Sequence, residues 1–254
     1  MAKTALITGA SSGLGAEFAR QLASRGMDLV LVARDGDALA ALAQTLTAAH
    51  GVACEVLAAD LLDPDALAAV AARVGDDAHP VDMLVNNAGF GLPLAFETND
   101  LADEQRHLAL HVSVPMTLMH AALPGMLARH RGRILNVASV AAFTPRSTYG
   151  AVKRWVVDFS RWANVAYRPR GVTVTAVCPG FTHTNFHERM GVAPGREGVP
   201  AWMWLDARDV VAAALRDTAR GTAVSIPSLR YKALVALSRV LPDRVVVATA
   251  SRGR

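Results

Sequence analysis

Three residues in the middle of the chain, Ser139, Tyr149 and Lys153, have side chains that can bind or exchange protons. Tyr149 and Lys153 stand four positions apart, so on a helix they share one face. A tyrosine hydroxyl, with a pKa of about 10, is a poor acid or base at neutral pH, but an ammonium beside it stabilises the phenolate. The pair therefore indicates proton transfer, although this spacing also arises by chance on many helices and Ser139 alone is typical of a strand end.

A second group of residues, near the N-terminus, has the spacing of a phosphate-binding turn. Gly9, Gly13 and Gly15 follow the apolar run ALIT and precede the helical stretch AEFARQLASRG. The first glycine permits a tight bend, the second lets backbone approach a pyrophosphate, and the third lets helix and strand pack closely. The helix N-terminus then faces the phosphates. We predict a dinucleotide site here, not an ordinary turn, formed by Gly9, Ser11, Ser12, Gly13, Leu14 and Gly15.

The residue type at the end of the second predicted strand indicates whether the dinucleotide is NAD or NADP. An acidic residue there would bind the adenine ribose 2′-hydroxyl and select NAD, whereas a basic residue would meet the 2′-phosphate of NADP. Ala33 occupies the position of the acid and Arg34 follows it. We therefore predict a preference for NADP(H), with NAD(H) as the alternative. Other interpretations stay open, since Asp35 could pair with Arg34 or replace the missing acid, and Arg34 could be an ordinary surface charge.

The elements that must position these residues alternate between short apolar runs and longer alanine-rich stretches. This is the pattern of buried parallel strands joined by crossover helices. Strands are predicted at residues 4–8, 29–33, 53–58, 83–86, 133–138, 172–177 and 223–226, and helices at 13–25, 36–49, 64–74, 101–130 (two helices), 149–168 and 206–219. The sequence thus predicts one α/β domain over residues 1–254, with a Rossmann-type, doubly wound sheet of seven parallel strands.

Two regions depart from this alternation. Residues 180–205 contain four glycines and two prolines without a clear period, which is typical of a functional loop or lid. Residues 228–254 form a basic C-terminal extension, and we predict in it an amphipathic helix packed on the sheet. The alternative is weak contact of this helix with a membrane surface. The apolar positions at helical spacing are Leu229, Ala233, Ala236, Leu237, Val240 and Leu241.

Composition and charge exclude several classes of protein. Of the 254 residues 52% are hydrophobic and 19% charged, unlike a disordered or coiled-coil chain. Cys54 and Cys178 are too few for a disulfide framework or a zinc site, so we expect reduced thiols and no metal. The net charge is +4, but residues 228–254 hold six basic residues and one acidic residue, leaving 20 basic and 21 acidic residues elsewhere. We therefore expect no nucleic-acid partner.

The chain also lacks the sequence signals that direct a protein into or across a membrane. Its apolar runs are shorter than the roughly 18 residues that a span requires. Gly9 comes too early for the apolar region of a secretory signal. We expect a cytoplasmic protein, with peripheral membrane contact as the alternative noted above.

Five motifs occur in order along residues 4–227. They are Thr8-Gly9 with Gly13-Leu14-Gly15, Asn86-Asn87-Ala88-Gly89, Ser139, Tyr149 with Lys153, and Pro179-Gly180-Phe181-Thr182-His183-Thr184. In this order they resemble the short-chain dehydrogenase/reductase family in its single-domain branch, near long-chain 3-ketoacyl reductases and 17β-hydroxysteroid dehydrogenases. The resemblance implies that Tyr149 donates a proton to a carbonyl oxygen. It also implies that Lys153 lowers the pKa of Tyr149 and binds the nicotinamide ribose, while Ser139 hydrogen-bonds the substrate oxygen.

The same resemblance implies further cofactor contacts and an assembly. The contacts are Asp60 and Leu61 at the adenine, Asn87, Ala88 and Gly89 near the ribose, and, after Pro179 and Gly180, Thr182 and Thr184 at the carboxamide and phosphates. Asn86 is expected to support the sheet. A homo-oligomer, either a dimer or a tetramer, is also implied.

His111 occupies the position where the family usually has a catalytic asparagine. If that position acts through its backbone carbonyl, a water relay beside Lys153 survives the change. The imidazole could instead relay protons itself, because its ordinary pKa is about 6.5, or it could simply fill space in a helix. A second departure is the short interval between Ser139 and Tyr149, which predicts a more open pocket wall.

Aromatic and apolar residues after the strands and in the predicted lid favour an apolar substrate. They could equally be core residues that anchor the lid. The candidates are Phe90, Phe143, Phe181, Phe186, Met190, Trp202 and Trp204. We predict an NADP(H)-dependent oxidoreductase that transfers a hydride between the nicotinamide and the carbonyl or secondary alcohol of a 3-ketoacyl or steroid-like compound. The alternative is a non-catalytic dinucleotide-binding sensor or scaffold of the same fold.

Overall fold

A single sheet forms the centre of the molecule, whose computed structural model describes residues 2–184 and 199–251. Within these residues seven strands pair in parallel, in the order β3-β2-β1-β4-β5-β6-β7. They are β1 (Thr4–Thr8), β2 (Asp28–Ala33), β3 (Cys54–Ala58), β4 (Val81–Asn86), β5 (Gly132–Val137), β6 (Val172–Val177) and β7 (Val224–Ser225). The predicted seven-stranded, doubly wound parallel sheet is confirmed, with strand ends shifted by one or two residues.

Helices cover both faces of the sheet. The described residues contain α1 (Gly13–Ala23), α2 (Gly36–His50), α3 (Pro64–Val74), α4 (Leu101–Leu108), α5 (Val114–Ala128), α6 (Thr148–Tyr167), α7 (Ala207–Ala219), α8 (Leu229–Ser238) and α9 (Asp243–Ser251). A π-helical turn, Ala109–Ser113, joins α4 to α5 without a break. Short 3₁₀ turns occupy Val140–Phe143, Arg168–Arg170 and Ala201–Met203.

The central strands are mostly apolar because helices bury them from both sides. In β1, Ala5 and Ile7 belong to one apolar cluster and Leu6 to the cluster on the opposite face. All six residues of β4 are buried. Runs without alternation therefore mark the central strands of this sheet.

The strand order reverses between β1 and β4, which places a crevice at their carboxyl ends. One hydroxyl joins the two strand ends. Thr8 Oγ1 accepts hydrogen bonds from the backbone N–H groups of Asn87 and Ala88, both at 3.0 Å. These two hydrogen bonds hold the ends of β1 and β4 together at the crevice.

The C-terminal extension differs from its prediction. It forms two helices, α8 and α9, because Pro242 cannot continue a helix. The predicted apolar stripe is wrong, since Leu229 and Val240 are 82% and 77% exposed while Tyr231 and Val235 are buried. Among the described elements, helix α8 packs mainly against the Val140–Phe143 turn, whereas packing on the sheet was predicted. Tyr231 and Val235, one helical turn apart, therefore define the buried face of α8.

The predicted lid is described only at its two ends. Thr182 and Leu205 form an isolated parallel bridge, in which His183 N–H donates to Leu205 O and Leu205 N–H donates to Phe181 O. Phe186 and Met190, two of the substrate candidates, lie outside the described residues. Over residues 2–184 and 199–251, no helix is long and apolar enough to cross a membrane.

Candidate active site

The glycine turn after β1 has a geometry that other residues would not adopt. Gly9 and Gly13 have φ values of +66° and +55°, in the left-handed region that favours glycine. A Cβ on Gly15 would lie 2.1 Å from the carbonyl oxygen of Gly9, so helix α1 could not approach the strand. Asn87 fastens the turn, since its Nδ2 donates to Thr8 O at 2.9 Å and to Gly9 O at 3.2 Å.

Ser139, Tyr149 and Lys153 come together at the carboxyl end of β5. Ser139 lies two residues after the strand, at the start of the Val140–Phe143 turn, and its Oγ accepts from Ala141 N–H at 3.1 Å. Tyr149 and Lys153 follow one turn apart in the first part of α6. Lys153 Nζ donates to Val137 O at 2.7 Å and lies 5.5 Å from the centroid of the Tyr149 ring. The Tyr149 hydroxyl is hydrogen-bonded to the side chain of Ser139.

Burial controls the protonation of this group. Lys153 is only 4% exposed, and burial lowers the pKa of its ammonium to about 7. Burial raises the pKa of Tyr149 to about 12, although the hydrogen bond with Ser139 acts in the opposite direction. Lys153 is not among the groups that shift the Tyr149 pKa, so the expected lowering of that pKa by Lys153 is not observed. Tyr149 keeps its proton at neutral pH, which is the state that can donate it.

Cys178, after β6, completes the buried surroundings of Lys153. Burial raises the pKa of its thiol to about 12, against the opposing effects of Lys153 and of a hydrogen bond from the Ser139 backbone. The thiol is neutral near pH 7 and adds no charge to the site. Cys54 and Cys178 are both free.

His111 lies in the π-helical turn with its imidazole directed at the loop after β4. Its Nε2 is 2.8 Å from Phe90 O, and its ring lies 5.8 Å from the Tyr149 ring in an edge-on arrangement. Burial, with the nearby charge of Lys153, lowers the pKa of His111 well below its usual value. The imidazole is therefore neutral and held to backbone.

His107, which the sequence analysis did not select, stands one helical turn before His111. The two rings are 4.5 Å apart, and the His107 ring is 5.9 Å from that of Tyr149. Burial lowers the pKa of His107 to about 4, and within the described residues neither ring nitrogen has a hydrogen-bond partner. The spacing of four between the two histidines was a signal in the sequence that could have found it.

Arg34 is exposed just after β2, at the same edge of the sheet as the glycine turn. Asp35 caps the next helix, because its Oδ1 accepts from Ala38 N–H at 3.0 Å. Asp60 similarly accepts from Leu62 N–H at 3.0 Å, and Leu61 is buried in the core. One oxygen of the Asp35 carboxylate therefore caps helix α2.

A cavity of about 690 Å³ joins the glycine turn to the C-terminal helices. Of the residues selected from the sequence, its lining includes Gly9, Ser12, Gly13, Leu14, Asn87, Ala88, Gly89, His111, Ser139, Phe143, Tyr149, Lys153, Pro179, Gly180, Phe181, Thr182 and Thr184. Those that the structure leaves outside the lining are Ser11, Gly15, Arg34, Asp60, Leu61, Phe90, Trp202 and Trp204.

The outer wall of the cavity is apolar but differs from the aromatic set expected for the substrate. Phe90 packs on the two histidines, Trp204 stacks on His183 at 4.8 Å, and Trp202 is exposed. Phe143 and Phe181, from the expected set, do line the cavity. The rest of its apolar wall is formed by Leu92, Leu94, Val140, Met203, Tyr231, Leu234, Val235, Leu237, Leu241 and Val246. Within residues 2–184 and 199–251, no group of three or more His, Cys, Asp or Glu could hold a metal ion.

Known proteins resemble the chain over most of its length. The family described as short chain dehydrogenase matches residues 3–193. A short-chain dehydrogenase from Sphingobium yanoikuyae, in complex with NADPH, is 38% identical with a TM-score of 0.85, covering 93% of this chain and 94% of that one. The bulky-bulky ketone specific alcohol dehydrogenase from Comamonas testosteroni is 34% identical with a TM-score of 0.80, covering 93% and 92%. The ketoacyl reductase HetN from Nostoc sp. is 34% identical over 184 residues, 70% of this chain and 63% of that protein.

Proposed function

The chain belongs to the short-chain dehydrogenase family and is an NAD(P)-dependent oxidoreductase, and on this premise we propose that it reduces ketones with bulky apolar substituents, using NADPH. One observation carries the proposal. Tyr149, the glycine turn and an apolar wall share the same cavity. A sensor or scaffold would need the turn but not a buried proton donor, so the intact Ser139, Tyr149 and Lys153 group favours catalysis.

The inner end of the cavity fits a dinucleotide. Gly9 and Gly13 line the cavity without side chains, and a Cβ on Gly9 would come within 2.9 Å of the Asn87 amide. Thr184 lies next to this turn, 3.4 Å from where a Gly13 side chain would begin. Arg34, at the end of β2, would hold the 2′-phosphate. Ser12, Asn87, Lys153 and Thr182 are the other residues that we expect to hold the cofactor.

The protein residues supply the proton for the reaction. NADPH, when bound, supplies the hydride that reduces the carbonyl carbon. Tyr149 gives its hydroxyl proton to the carbonyl oxygen, while Ser139 donates a hydrogen bond to the same oxygen. Lys153 then restores the tyrosine proton, and a pKa of about 7 lets it both release and regain protons at neutral pH. Hydride and proton together convert the ketone to a secondary alcohol.

The test is a substrate series monitored by NADPH absorbance. We would compare small methyl ketones with ketones that carry a long alkyl chain or an aromatic ring on each side. The expected result is a kcat/KM that rises with apolar bulk and is higher with NADPH than with NADH. Oxidation of NADPH by none of these ketones would contradict the proposal, and Tyr149→Phe serves as the inactive control.

We also propose that the chain forms a homo-oligomer through α4, α5 and α6. Leu108, Met116, Trp162 and Val165 are large apolar side chains that these helices expose. A symmetric contact with a second copy would bury them. Light scattering should give at least the mass of a dimer, and Trp162→Glu should lower it. Trp202→Glu, at a residue of similar exposure outside these helices, is the control.

A weaker proposal concerns the C-terminal helices and a cytoplasmic location. Their exposed apolar residues Leu229 and Val240 stand near Arg230, Lys232 and Arg239, a combination that suits an anionic membrane surface. The free thiols Cys54 and Cys178 support a reducing compartment. Flotation with phosphatidylserine vesicles should be lost when the three basic residues are replaced by glutamate. Equal flotation of parent and variant would reject the contact.

A further inference from the structure

Tyr231, in the first turn of α8, joins three segments that are distant in the sequence. Its side chain is buried, with the residue only 3% exposed. Its hydroxyl accepts a hydrogen bond from Phe181 N–H at 3.1 Å and donates one to Met203 O at 2.8 Å. Phe181 follows β6, whereas Met203 lies in the Ala201–Met203 turn. One hydroxyl thus ties α8 to both ends of the region predicted as a lid.

The ring of Tyr231 also explains why residue 180 is a glycine. A Cβ on Gly180 would lie 2.1 Å from two ring carbons of Tyr231. The φ angle of Gly180 is not in the left-handed region, so the requirement is for space and not for backbone conformation. Gly180 and Phe181 both line the cavity, which places the ring against its wall near the reacting group.

Helix α8 supplies much of the outer wall but has few other anchors. Leu234, Val235 and Leu237 line the cavity, and Leu234 and Leu237 are 42% and 52% exposed, so they stand at its mouth. Ser228, at the start of α8, makes no side-chain capping bond. Tyr231 and Val235 are the buried residues of the helix. Two buried side chains therefore hold the mouth in place, and of these Tyr231 also makes hydrogen bonds to other segments.

We propose that Tyr231 is a positioning residue that sets the selectivity for bulky ketones, by holding α8, Phe181 and Met203 as one wall. This inference rests on the proposed function, because it assumes an apolar ketone in the cavity. Small ketones reach Tyr149 without touching the mouth, so their turnover does not depend on the wall. Bulky ketones contact the wall, so they bind less tightly when the wall is displaced.

The experiment compares Tyr231→Phe with the parent protein on a small and a bulky ketone. The variant keeps the ring over Gly180 but removes the hydroxyl that binds Phe181 N–H and Met203 O. We expect KM for the bulky ketone to rise about tenfold, which is within the free energy of the two hydrogen bonds that the variant loses. KM for the small ketone, kcat for both and the NADPH affinity should stay within about twofold.

Two further variants keep the result interpretable. Tyr167→Phe, at the end of α6 and away from the cavity, should leave both KM values unchanged. Leu237→Ala, at the exposed mouth, should raise KM for the bulky ketone without changing the melting temperature, whether or not Tyr231→Phe folds well. An unchanged ratio of the two KM values in Tyr231→Phe and Leu237→Ala overturns the inference. Failure of the parent protein to reduce any ketone would instead contradict the proposed function.

Discussion

The imidazole of His111 is hydrogen-bonded to the backbone carbonyl of Phe90, with Nε2 and the oxygen 2.8 Å apart. This bond fixes the ring edge-on to Tyr149. His111 stands where the family usually has an asparagine. Its imidazole is neutral, buried and hydrogen-bonded to the backbone.

His111→Asn should keep kcat within a few fold and leave its pH profile unchanged. Because the pKa of His111 is well below its usual value, the imidazole has no titration step near neutral pH to lose. The measurement is kcat from pH 5 to 9 for both proteins. Loss of an acidic limb from the profile of the variant, with an unchanged melting temperature, would show that the imidazole carries protons.

Tyr149→Phe should lower kcat by about 10²- to 10⁴-fold, the usual contribution of a positioned acid. The affinity for NADPH should change by no more than a few fold, since the ring remains. Lys153→Ala should lower both kcat and the affinity for NADPH. Steady-state rates and fluorescence titration separate the two effects, and substantial activity in the phenylalanine variant would refute the role of Tyr149.

Arg34→Ala should reduce the preference for NADPH over NADH by about 10- to 100-fold, because a guanidinium makes paired hydrogen bonds to phosphate. Binding of both cofactors is measured by fluorescence titration. Arg25→Ala is the matched control, since Arg25 is exposed but stands before β2, at its opposite end. Equal affinities of the parent protein for NADPH and NADH would contradict the predicted preference for NADPH.

His107→Phe should stabilise the protein by about 1 kcal/mol at pH 7, because it removes two buried ring nitrogens that have no partner among the described residues. The variant should also resist acid better. The folded-state pKa of His107 is about 4, below its usual 6.5, so folding loses stability as the pH falls from 6.5 to 4.

Urea unfolding at pH 7 and pH 5 measures both effects. Burial is the main cause of the lowered pKa, opposed only by Glu104 on the same helix and reinforced by Lys153 from α6. His120→Phe, at an exposed position of α5, should change neither value. A parent protein as stable at pH 5 as His107→Phe would rule out this account.

The proton-transfer group and the glycine turn could be predicted because each depends on spacing within one element. Tyr149 and Lys153 share a helix, and Gly9, Gly13 and Gly15 share a turn. Tyr231 could not be found this way, since its partners Phe181 and Met203 are 50 and 28 residues away. The wall residues of α8 were missed for the same reason, because tertiary contacts decide which face of a short helix is buried.

The apolar lining that comes from Met203, Leu234, Leu237 and Val246 lies beyond residue 193, where the match to the family ends. The cavity residues that we propose to hold the cofactor come from earlier in the chain, between Gly9 and Thr184. We therefore expect the C-terminal segment to be exchangeable between relatives. Grafting the corresponding segment of a relative onto residues 1–198 should transfer the relative's substrate range while the cofactor preference stays that of the host. New ketone specificities could then be built on this enzyme without redesigning its proton-transfer residues.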